Sequence, residues 1–233
     1  MLGRRRRLSP VWAASTLAAV WLGTAAPAFA HGVSAADRTF MERGGLMAFL
    51  YLGAKHMVTG YDHILFLVGV IFFLYRIRDV VTYVSLFTLG HSLTLVGGVL
   101  ADVRIDGYLV DAVIGLSVVY KGFENVGGFR TVFGVRPDPR LAVLAFGLCH
   151  GFGLATKLQD LALPERGLMA NLASFNVGVE VGQVMALSAV LIGFAYWRSR
   201  PSFDRHAFAA NTVLMTGGFI LIGFQLAGYV VSQ

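Results

Sequence analysis

Six side chains in this sequence have the chemistry to hold a cation in a place where charge is costly. His56, Asp62 and His63 stand together in KHMVTGYDHILFLVGVIFFLY, residues 55–75, at the mouth of a continuous apolar run. His91 sits at the centre of LFTLGHSLTLVGG, His150 at the centre of LAFGLCHGFGLA, and Glu180 inside FNVGVEVGQ. An ionisable group inside hydrocarbon costs about 2.5–3.5 kcal/mol or more, so each of these needs a compensating partner. Imidazole and carboxylate donors without thiolate suit a divalent transition metal such as nickel, cobalt, zinc, copper or iron. A buried hydrogen-bond network that fixes helix register is the other reading of the same set. Gly60 can break the helix between His56 and the Asp62–His63 pair, folding His56 back towards them. Asn176, Glu180 and Gln183 fall at i, i+4 and i+7, on one helical face. Cys149 points about 100° away from His150 on an ideal helix and reads as packing.

The elements that must carry these residues are helices. The chain has 233 residues, is 56% hydrophobic and only 14% charged. Its mean hydropathy of +0.68 puts it in the membrane class. The apolar runs are continuous rather than alternating, which argues against strands. The expected fold is an all-α polytopic bundle of about six spans near 57–75, 80–100, 108–128, 141–158, 169–197 and 207–231. A shorter run from Leu46 to Val58 is too brief to cross alone and reads as an interfacial or re-entrant helix. At 1.5 Å per residue Asp62 lies about 7 Å below the outer end of its helix, Glu180 about 10–15 Å, and His91 and His150 near mid-depth. Four spans thus place ligand-type side chains in one layer. Glu124, near the inner end of the third span, is either a snorkelling boundary residue or a continuation of a polar path. Gly147/Gly151 and Gly178/Gly182 have the small-xxx-small spacing of close helix packing, which near Glu180 also draws that carboxylate towards neighbours.

Residues 1–30 read as a secretory signal peptide: Arg4 to Arg7, an apolar middle, then Ala28 and Ala30 flanking Phe29. Cleavage leaves one transmembrane domain, 31–233, and exposes His31 as a terminal amine-plus-imidazole donor. It also removes four of the 19 basic residues, leaving 15 against 13 acidic ones, so no nucleic-acid partner is inferred. With the mature amino terminus outside, nine basic residues fall in inside loops and six outside. That balance fits a bacterial inner membrane by the positive-inside rule. One cysteine excludes an internal disulfide framework.

HMVTGYDH fits the H-x5-D-H motif of the HupE/UreJ family, and FTLGHSLTL, VVYKGFEN, GLCHGFGLA and FNVGVEVGQ look like landmarks of its second branch. The chain resembles that family over nearly all its mature length. The resemblance implies a nickel or cobalt permease associated with hydrogenase or urease maturation, with His56, Asp62 and His63 as the entry site and His91 and His150 further along. Phe146 and Gly153 stand where the permease branch has a histidine and a glutamate in H-G-x-A-H-G-x-E. The expected function is a permease or facilitator, with the ion passing from the entry site to His91, His150 and Glu180 and leaving by the Glu124 side. Asn176, Glu124 and His31 are accessory candidates. An intramembrane zinc hydrolase, with His63, His91 and His150 as ligands and Asp62 or Glu180 as base, or a metal-storage protein, are the alternatives.

Overall fold

A computed structural model describes residues 35–159 and 167–233, with side chains from residue 44 onward. The expected leader and His31 lie outside the described residues. Among the described residues all regular structure is helical: α1 (Ala35–Thr59), α2 (Tyr61–Ile71), α3 (Ile77–Leu100), α4 (Gly107–Asn125), α5 (Gly128–Phe133), α6 (Pro139–Gln159), α7 (Leu168–Arg198) and α8 (Ser202–Ser232). Four of these, α3, α6, α7 and α8, are long and apolar enough to cross a membrane. α4 is almost as long, but Asp111, Lys121 and Glu124 lower its hydropathy. Its 19 residues still extend about 28 Å.

The short helix expected over Leu46–Val58 is present, running from the Gly45 kink to Thr59, but the helix that follows starts at Tyr61 rather than at residue 57. Gly45 takes a left-handed φ of 54° and kinks α1, so the apolar part of α1 starts afresh there. From that point the chain follows α7 in parallel. Gly178 meets the Leu50 carbonyl, Gly182 meets Ala54, and Gly53 meets the Phe175 carbonyl. Further along, Arg198 at the end of α7 donates to the carbonyls of Ile71, Phe72 and Leu74 at the end of α2. Residues 46–74 therefore form one column interrupted at Gly60, whose extended ψ of 96° ends the helical run. The break falls at the glycine the sequence offered, but periodicity cannot reveal that the two halves share one column, because both are apolar.

The columns associate as tight pairs: α1 with α7, α3 with α6, and α4 with α8. Small residues let the backbones touch. A Cβ on Gly147 would stand 2.5 Å from the Phe87 carbonyl, and one on Gly90 2.6 Å from the Leu144 carbonyl. Thr94 Oγ1 completes the α3–α6 contact by donating to the Leu148 carbonyl at 2.7 Å. The order of contacts makes α3 and α6 parallel and α4 and α8 antiparallel. One end of the bundle carries the α3–α4 loop with Arg104; the other carries Arg198.

Candidate metal centre

The break at Gly60 lies between His56 and His63 and sets the site. α1 ends just past His56, and α2 begins just before Asp62. The interruption turns the two imidazoles towards each other, with ring centres 4.9 Å apart. The tight α3–α6 crossing delivers the other two. His63 lies 6.3 Å from His91 and 5.0 Å from His150, ring centre to ring centre. Four histidines from four helices thus gather around His63. His63, His91 and His150 are 0–2% exposed and Asp62 is 3% exposed.

Hydrogen bonds orient two of the rings. His63 Nδ1 lies 3.0 Å from Asp62 Oδ1, which also accepts the His63 backbone N–H at 2.9 Å. A carboxylate so placed accepts a hydrogen bond from the Nδ1–H and leaves Nε2 as the electron-pair donor, the usual arrangement behind a metal-binding histidine. His150 Nδ1 lies 2.7 Å from the Phe146 carbonyl. A carbonyl only accepts, so Nδ1 carries the proton and Nε2 the lone pair. That Nε2 is buried without a hydrogen-bond partner among the described residues, and so are both ring nitrogens of His91. Leaving a buried polar atom unsatisfied costs about 1–3 kcal/mol. A pure register-fixing network would bond these atoms to one another, and this one does not.

The donor chemistry fits a divalent transition metal, but the spacing is not yet that of a closed site. Two imidazoles on one tetrahedral ion have ring centres about 5 Å apart. His56–His63 and His63–His150 meet that separation, whereas His91 stands farther off. Among the described residues no group of three or more His, Cys, Asp or Glu is set to hold an ion. A shared ion requires His91 to move inward.

Apolar walls close the layer on both sides. Along α3 the order is Phe87, His91, Leu95; along α6 it is Val143, His150, Leu154. Towards the Arg198 end, Phe66 and Phe87 pack 5.3 and 5.0 Å from the His150 ring and join a core with Val118, Val143 and Leu187. Towards the other end lies a second core that includes Met57, Leu95, Leu154 and Phe175. Sequence reasoning missed the phenylalanines because an aromatic in an apolar span carries no special signal.

Glu180 does not join the histidines. The glycines at 178 and 182 do pack closely, but against α1, and Glu180 is exposed. Asn176 accepts from Ser92 at 3.2 Å, and Gln183 Oε1 accepts from Thr88 at 2.7 Å, so this face ties α7 to α3 beside the site. Glu124 is paired with Lys121 Nζ at 2.8 Å on α4, towards the Arg198 end. Gly153, at the position where a glutamate was expected by resemblance, leaves room for Val110 of α4.

A helical bundle with an interrupted column and a polar layer at the interruption is the architecture of a polytopic membrane protein. The chain belongs to the HupE/UreJ family: the model described as HupE / UreJ protein matches residues 34–233. No curated protein and no solved structure matches it.

Proposed function

We propose that the protein is a transition-metal permease or facilitator of the nickel/cobalt type, and that His56, His63, His91 and His150 hold the ion in passage. The observation that carries this reading is the set of fully buried imidazole nitrogens on His91 and His150 that no described group satisfies. Asp62 acts through His63, holding its ring, rather than as a ligand. Broken helices at mid-depth are where transporters bind ions, since the interruption frees backbone and side chains that an intact helix would occupy. Transport needs binding strong enough to select and weak enough to release. A set of imidazoles, one of them still to close in, suits that compromise better than a thiolate cage. The HupE/UreJ resemblance favours nickel or cobalt, with zinc as competitor, and a link to maturation of a nickel enzyme.

Arg76, Arg78, Arg130, Arg136, Arg140, Arg198, Arg200 and Arg205 gather at one end of the bundle, which by the positive-inside rule is the cytoplasmic end of an inner-membrane protein. Ions then enter from the Arg104 end and leave past Phe66 and Phe87 towards Glu124. A hydrolase needs an acid–base group open to water beside the ion, whereas Asp62 is bonded to His63 and Glu180 makes no contact with the histidines.

Purified protein in proteoliposomes is expected to take up Ni2+ or Co2+ faster than empty vesicles, and His63→Ala to abolish the difference. Tight stoichiometric binding with no flux in the unaltered protein would turn the assignment to storage.

A further inference from the structure

A carboxylate–ammonium pair stands between the histidine layer and the Arg104 end. Lys157 Nζ donates to both oxygens of Asp111 at 2.9 Å. Asp111 sits one turn inside α4 with its side chain 10% exposed, and Lys157 in the last turn of α6 with its side chain 18% exposed. Lys157 follows His150 by seven residues, which places it two turns and about 10 Å farther out on the same face of α6. Gly153 lies between them. A Cβ there would press on Val110 at 2.9 Å, so its absence lets α4 close on α6 next to the Asp111–Lys157 pair.

The pair is not needed to fasten these elements. The Ile105 N–H, just ahead of α4, donates to Thr156 Oγ1 at 3.3 Å, and Gly153 packs on Val110. Burying two charges brings a desolvation cost that an apolar pair avoids, so as a staple it is poorly chosen. Its asymmetry suggests another role. The carboxylate is fixed on a short stem inside α4. The ammonium rides a four-carbon stem two residues from the end of α6, within reach of water.

We infer that Asp111 is a second cation site, which recruits divalent ions on the way to the histidine layer, and that Lys157 is its tethered plug. At rest the ammonium occupies the carboxylate and keeps the pair neutral. An arriving divalent ion carries twice the charge and takes its place, and Lys157 swings to the surface. Asp106, exposed on the adjoining loop, adds negative potential at this mouth, whereas Asp102 is paired with Arg104 at 3.1 Å. Onward delivery to the histidines rests on the permease reading; binding at Asp111 does not.

The test is equilibrium dialysis of radiolabelled Ni2+ against the full chain in detergent, in a His63→Ala background that disables the histidine layer. Lys157→Met is expected to tighten nickel binding about tenfold or more relative to that background. Adding Asp111→Asn removes the gain, and this doubly neutralised pair also serves as the folding control. Equal affinity in all three monodisperse proteins overturns the inference and leaves the pair a staple. If His63→Ala itself leaves nickel binding unchanged while Lys157→Met still tightens it, the histidine reading fails and the Asp111 site stands.

Discussion

Two buried polar levels of the bundle are built on opposite principles. In the histidine layer, His91 has no hydrogen-bond partner on either ring nitrogen and His150 has none on Nε2, among the described residues. One level towards the Arg198 end, Asn125 Nδ2 donates to the Gly69 carbonyl and to Asn211 Oδ1, both at 2.8 Å, and Asn211 Nδ2 donates to the Ala207 carbonyl at 2.9 Å. The second level joins α2, α4 and α8 and stabilises the fold. The first costs stability, and such a cost persists where a ligand meets it. Both levels are buried and polar, so burial alone does not distinguish a site from a strut.

The comparison breaks most sharply at His91. His91→Leu is expected to lower nickel uptake by about 100-fold or more. The same change should leave the metal-free protein as stable as before, because a buried polar group without partners is exchanged for an apolar one. Uptake assays and thermal unfolding in detergent read the two effects; a large loss of metal-free stability contradicts the ligand assignment. Saturating nickel should stabilise the unaltered protein by about 2.7 kcal/mol at a hundredfold excess over Kd, and His91→Leu far less.

Asp62→Asn comes next. A residue that positions a ligand typically accounts for about 10–100-fold in affinity, so nickel binding weakens by that factor without vanishing. Complete loss would make Asp62 a ligand in its own right. On the strut level the pattern reverses. Asn211→Leu deprives Asn125 of its acceptor and should lower stability by about 1–3 kcal/mol, with the nickel affinity of the folded fraction retained. Cys149→Ala closes the series. The thiol is free and partly buried, and its loss should move stability by no more than about 0.5 kcal/mol and nickel affinity not at all.

Much of the fold was legible because a bilayer leaves few choices: continuous apolar runs of the right length become helices. His56, Asp62, His63, His91 and His150 were visible for the related reason that ionisable groups in such runs are anomalous. Glu180 was anomalous too, but its face could not be read. Asn176 and Gln183, which share its ideal face, turn to α3, while Glu180 lies at the margin where the packed side of α7 ends. The Asp111–Lys157 pair escaped notice because its members are 46 residues apart, and only the tight crossing at Gly153 joins them.

Composition and spacing by themselves determined that this chain makes apolar helices and that imidazoles enter them, since both follow from local chemistry and the cost of charge in hydrocarbon. Only the tertiary structure decided that the two halves on either side of Gly60 continue as one column along α7, that four histidines meet there while Glu180 stays exposed, and that Asp111 finds Lys157. Those outcomes depend on which backbones approach at glycine contacts, and no single helix carries that information.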